Sequence, residues 1–187
     1  ADLGFQLEKA ATTYPPGVPL AEVKATRNVL IGAGLECSHF VDEPTGANAL
    51  LQVRDGAVVD IGGGTTGIAI VRDGEVIYTA DEATGGTHFS LVVAGALNVS
   101  FEEAERIKTD PAQSRMVSSV VYPVMQKVGS IVARHIQPYN VETIYLVGGT
   151  SSLADIGEVV HDMTGVPTVI PPHPMFVTPL GVAMTDD

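Results

Sequence analysis

The stretch VVDIGGGTTGIAIV, Val58 to Val71, sets a carboxylate, three glycines and two threonines between two runs of strand-forming residues. Val58, Val59 and Ile61 are apolar, so Asp60 falls at the end of a buried strand, where the chain leaves the core. Gly62, Gly63 and Gly64 lack Cβ atoms, which lets successive backbone N–H groups surround an anion, and Thr65 and Thr66 add hydroxyls at the same corner. A carboxylate beside an anion cradle is repulsive unless a divalent cation or its water shell lies between them. A hairpin whose glycines serve only the turn needs the same residues, so this stretch alone leaves both readings open.

The arrangement recurs at LVGGTSSL, Leu146 to Leu153, where a strand, the pair Gly148 and Gly149, and a hydroxyl-capped helix follow one another. DEPTG, Asp42 to Gly46, places two carboxylates before a helix, an acidic cap worth about 1 kcal/mol. EEAERIK, Glu102 to Lys108, sets Glu105 and Lys108 one turn apart, which by itself is an exposed ion pair worth a few tenths of a kcal/mol.

Between these motifs the periodicities predict an opening strand in FQLEKAATTYPPG, a helix from Leu20 to Ala33 closed by Gly34, and a strand in LECSHFVDE. A helix in EPTGANALLQ follows, then an antiparallel meander of Ala57–Ile61, Thr66–Arg72 and Glu75–Ala80, whose second pair is joined by Asp73-Gly74. Residues 86 to 138 read as helical, with Ser100 capping one helix and Pro123 kinking or restarting the longest. ETIYLVGG is a buried strand, SSLADIGEVVHDMTG a helix capped by Ser151 or Ser152 and ended by Gly165, and Val166–Ile170 a short strand. A last helix starts at Thr178 with Pro179 in first position.

Composition narrows the functions. A net charge of −12, with ten Lys and Arg that form no run, argues against nucleic acid or an anionic membrane as partner. No apolar run approaches the roughly 18 residues of a membrane span, so a cytoplasmic location is expected. The single cysteine, Cys37, reads as a core thiol, and the five scattered histidines show no metal-ligand spacing.

The order of the motifs carries more than any one of them. EPTGA, DIGGGTTG, GGTHF, AERIK, YLVGGTSSL and TPLGVA together resemble the actin and DnaK-type heat-shock ATPase superfamily over nearly the whole chain, and DEPTGANALLQ and DEATGGTHFSL most resemble its ethanolamine-utilisation EutJ branch of chaperone-like proteins. The resemblance implies an α/β actin-like (ribonuclease H-like) fold, a mixed sheet flanked by helices. Residues 1–55 would be a remnant of an incomplete first lobe, 56–172 a nucleotide-binding second lobe with a helical insertion over 86–138, and 173–187 a helix returning to the first. It implies ATP or ADP with Mg²⁺ as cofactors. Glu43 and Asp60 would be catalytic, Asp60 holding the metal through water. Gly62, Gly63, Gly64, Thr65 and Thr66 would clasp phosphates, Glu105 and Lys108 touch the adenosine, and Gly148 and Gly149 lie under it. The sequence departs from the family at Gly67, where many relatives carry Asp or Glu, and it lacks a DxGT-type first phosphate hairpin. The function implied is that of a chaperone-like ATP-binding protein of ethanolamine utilisation, a weak ATPase in which Mg-ATP binding or hydrolysis closes two lobes and changes its interaction with a protein of that pathway or its microcompartment. An adaptor with little chemistry and a filament-forming bacterial actin relative are the alternatives.

Overall fold

The computed structural model describes residues 7–185; Ala1 to Gln6, where the expected opening strand begins, and Asp186 and Asp187 lie outside the described residues. Strand β1 (Lys9–Tyr14) pairs in parallel with β2 (Glu36–Asp42), and α1 (Leu20–Gly32) connects them. Gly34, at φ +80°, ends that connection as expected. Asp42 then caps α2 (Glu43–Leu51), its Oδ1 accepting from the Thr45 N–H at 3.0 Å.

The principal sheet has five strands in the order β5-β4-β3-β6-β7. Its meander is β3 (Gly56–Ile61), β4 (Thr66–Arg72) and β5 (Glu75–Glu82), and both residues of the Asp73-Gly74 turn take positive φ, which matches the twist of the strands it joins. Strand β6 (Ile144–Val147) pairs in parallel with β3, and β7 (Thr168–Val169) with β6. The alternation along β3 divides two cores. Ala57, Val59 and Ile61 face the larger core under α3 (Gly86–Leu97), α4 (Phe101–Thr109), α5 (Ser114–Ile136) and α6 (Ile156–Thr164). Val58 faces a smaller one with Ala47 of α2 and Val177 of α7 (Pro174–Ala183). Asp60 shares the parity of Val58, so its side chain emerges on the α2 and α7 side.

Four expectations need correction. Helix α5 runs unbroken through Pro123, because Pro123 and Ser119 are exposed, so the carbonyl that loses its donor can be hydrated while buried Val121 and Met125 hold both halves in the core. Neither Ser151 nor Ser152 caps α6. Ser151 Oγ donates instead to Val147 O at 2.6 Å, residues Gly149–Ser152 form one 3-10 turn, and α6 starts after Asp155 at φ +66°. Helix α7 begins at Pro174, four residues early, with His173 in a left-handed conformation before it and Pro179 tolerated on an exposed face. Cys37 lies part-exposed on β2 and belongs to neither core. The stretch Pro111–Ile136 is long and apolar enough by composition to cross a membrane, but nine α5 residues, Val117 to Ile136, are buried in this fold.

Helices α2 and α7 cross where both are glycine. A Cβ on Gly181 would collide with Gly46 O, and one on Gly46 would stand 2.6 Å from Val182 Cγ2. Gly181→Ala is therefore expected to lower Tm by roughly 3–10 °C, the scale of about 1–3 kcal/mol of overpacking. Gly95→Ala, whose Cβ would meet nothing within 4 Å on α3, should hold or slightly raise Tm. Thermal unfolding of the two variants checks this.

Candidate functional site

The carboxyl ends of the parallel neighbours β3 and β6 bring the two glycine turns together, the position where open α/β sheets bind ligands. The hairpin is closed by Gly62 N–H donating to Thr65 O at 3.0 Å. A second glycine loop, after β5, is locked onto it. Gly86 N–H donates to Gly62 O at 2.8 Å, Thr87 N–H to Gly63 O at 2.7 Å, and Thr150 Oγ1 to Gly62 O at 2.9 Å. A Cβ at Gly85 would stand 2.7 Å from Thr65 N, so this contact needs glycine. At Gly63 and Gly64 a Cβ would meet nothing within 4 Å, which leaves the hairpin tip open to a ligand. Thr66, by contrast, is fully buried and donates to Thr84 O at 2.6 Å, so its hydroxyl fastens the loops and does not face a ligand.

Three carboxylates gather on the α2 and α7 side. Asp60 is 6% exposed; Thr178 Oγ1 of α7 donates to its Oδ2 at 2.5 Å. Its Oδ1 lies against the backbone of Gly148, at φ +87°, where any Cβ would overlap the carboxylate. Burial raises the Asp60 pKa, and the Thr178 bond only partly opposes that. Glu43, first residue of α2, is pushed up to about 7 by burial and then by the charges of Asp60, Asp81 and Asp42. Asp81 near the end of β5 is also raised, by burial first, against a hydrogen bond from Thr65. Its Oδ1 is buried without a partner. Among the described residues no three His, Cys, Asp or Glu side chains can hold a metal ion by direct ligation. Unshared carboxylate oxygens beside an open amide cradle fit a hydrated divalent cation lying between them and an anion.

Beyond the hairpin opens a cleft of about 650 Å³ lined by Gly62, Gly63, Gly86, Glu105, Lys108 and Gly149, among others. Lys108 is held on its wall: Nζ donates to Glu105 Oε1 at 2.7 Å, Ser90 Oγ at 2.8 Å and Gly86 O at 3.1 Å, and its side chain is only 10% exposed. Burial disfavours the Glu105 charge, but bonds from Lys108 and from Ser90 Oγ, the latter at 2.5 Å, outweigh it and hold its pKa below the ordinary value. The exposed ion pair expected from spacing is thus a half-buried, hydrogen-bonded cluster. Met175, 55% exposed, lies across the same opening beside Gly149.

Most of the sequence-predicted residues therefore fall into two groups. Gly62, Gly63, Glu105, Lys108 and Gly149 line the cleft, whereas Asp60 and Glu43 lie with the carboxylates on the other face of the sheet. Gly148 serves Asp60 by its close approach. Sequence reasoning missed Asp81, Thr150 and Thr178. The signal for Asp81 was DEATGG, an acidic strand end running into a second glycine pair; Thr150 and Thr178 stood inside the quoted motifs without a role. Gly67 is explained by packing, since a Cβ there would stand 3.2 Å from Pro44 Cγ and 3.5 Å from Pro16 Cδ.

The raised Glu43 pKa has a defined sign. The folded chain holds this proton more tightly than the unfolded chain, so the stabilisation is complete below about pH 4.5 and is lost as pH rises through about 7. Glu43→Gln removes the penalty. It should add roughly 1–2 kcal/mol at pH 8, after allowance for partial exposure, and raise Tm by about 2–8 °C there but hardly at pH 4. Melting curves at the two pH values measure it.

Comparison with known proteins agrees with this geometry. Residues 57–181 match the family described as cell division protein FtsA. The chain is 44% identical to the ethanolamine utilization protein EutJ of Escherichia coli over 181 residues, 96% of this chain and 63% of that protein, so it spans under two thirds of that relative's length. The crystal structure of EutJ from Carboxydothermus hydrogenoformans superposes with a TM-score of 0.90 at 46% identity, over 97% of this chain and 67% of that one. A chain of the PilM-PilN type IV pilus biogenesis complex shares the fold alone, with a TM-score of 0.72 at 21% identity over 90% of this chain and 64% of that chain. Glycine turns at the ends of β3 and β6, a mixed sheet with helices on both faces, and identity of this extent have one reading: the chain belongs to the EutJ family and has the actin-like fold.

Proposed function

We propose that the chain binds ATP or ADP with Mg²⁺ as the nucleotide-holding part of a chaperone-like protein of ethanolamine utilisation. The observation that carries this reading is the open Gly62–Gly64 hairpin, with the cleft and its fixed Glu105–Lys108 pair on one side and Asp60, Glu43 and Asp81 on the other. The hairpin amides would receive phosphate oxygens. Lys108 is anchored by three acceptors and so would orient the nucleoside end together with Glu105, while the rim residue Met175 would shield it from water. The cation, when bound, would neutralise phosphate charge and carry an ordered water. Asp60, fixed by Thr178 and by the backbone of Gly148, would accept from that water shell. Glu43, with its pKa near 7, is suited to take a proton from an attacking water.

Residues 1–55 and 173–187 would belong to a first lobe and 56–172 to a second, with α2 and α7 as the joint between them. Closure about that joint would change the affinity for a protein partner in the ethanolamine pathway or its microcompartment, in the cytoplasm. The family name borne by the relatives supports the pathway. A second reading, an adaptor with little turnover, draws on the apolar side chains Phe176 and Leu180 of α7 and Met184 just after it, each at least 51% exposed.

Thermal-shift titration tests the nucleotide reading. Mg-ATP or Mg-ADP at about a hundred times Kd should add about 2.7 kcal/mol, roughly 5–11 °C, and Gly63→Val at the open hairpin tip should reduce the shift to near zero. A wild-type chain whose Tm ignores both nucleotides would overturn the reading.

A further inference from the structure

Strands β4 and β5 pair so that Gly67 lies directly across from Asp81. Cross-strand partners project from the same face of a sheet, and a Cβ at Gly67 would point at Pro44, so Asp81 faces the start of α2, where Glu43 sits. The Asp81 charge is in fact among those acting on Glu43. Alternation sends the next residue, Glu82, to the opposite face. There it accepts from Arg134 and from His135 Nε2, the latter at 2.9 Å, while the other His135 nitrogen bonds the Tyr78 hydroxyl at 2.7 Å. The end of β5 is thereby anchored to α5, and the direction of Asp81 is fixed. Thr65, at the end of the glycine hairpin, hydrogen-bonds the Asp81 carboxylate, yet Asp81 Oδ1 stays buried without a partner. An acceptor left unpaired in this way is costly unless something outside the protein pairs it.

We propose that Asp81 joins Asp60 as an acceptor for the water shell of the cation and sets how strongly nucleotide binding depends on that cation. A side chain at position 67 would press on Pro44, with its Cβ 3.2 Å from Pro44 Cγ; the neighbouring strand supplies the group from the paired position. This inference rests on the nucleotide reading above.

Calorimetric titration with ATP, in the presence and absence of Mg²⁺, on wild type, Asp81→Asn and Glu82→Gln tests it. Asp81→Asn should bind metal-free ATP at least as tightly as wild type, having one negative charge fewer, while the gain in affinity on adding Mg²⁺ falls about tenfold, the scale of one charge-assisted hydrogen bond. Glu82→Gln should keep the wild-type gain. As a second variant, Asp81→Glu should keep most of it, because the acceptor is retained. An unchanged Mg²⁺ gain in Asp81→Asn, or equal weakening with and without Mg²⁺, would assign Asp81 a structural role and overturn the inference while leaving the nucleotide reading intact. A wild-type chain that binds ATP under neither condition overturns both.

Discussion

A buried carboxylate at the end of the central strand organises this molecule. Asp60 is almost inaccessible to water, and ionising it there is unfavourable unless donors or a cation compensate. The surroundings are built to that requirement. Thr178 reaches in from α7 to donate to one oxygen, and Gly148 brings its backbone against the other where any side chain would collide. The same strand pairs with β4 and β6 at once, so the carboxylate, the glycine hairpin and the second glycine turn share one rigid frame.

The hydrogen bond from Thr178 also makes α7 part of the site. Three residues further along that helix, Gly181 packs on Gly46 O of α2, and the first residue of α2 is Glu43. A closed path thus runs from Asp60 through Thr178 and the crossed helices to Glu43, whose pKa is raised by burial first and then by the charge of Asp60. Close approach through glycine makes the spacing of α2 and α7 stiff. A change in their crossing would therefore move Glu43 relative to Asp60.

Much of the fold was legible in the sequence, for identifiable reasons. The meander was readable because a two-residue Asp-Gly turn joins two runs of strand-forming residues, and α2 because Asp42 and Pro44 mark its start. The starts of α6 and α7 were misread where local chemistry had a competing use. Ser151 spends its hydroxyl on Val147 O and caps nothing, and Pro174, not Pro179, opens the last helix. In the site, glycines and acids within contiguous motifs were recognisable, but Thr178 lies 118 positions from the carboxylate it holds, and no local pattern reveals such a bond.

The sequence by itself determined the two glycine turns, the carboxylate at the strand end and the order of motifs that marks the superfamily, because each depends on residue type and short spacing. Only the tertiary structure decided that Glu105 and Lys108 form a half-buried cluster with Ser90, that Thr66 is a fastener, and that Asp81 faces Glu43 across from Gly67. Those outcomes depend on strand register and on the room that distant side chains leave, and both arise when the strands and helices pack.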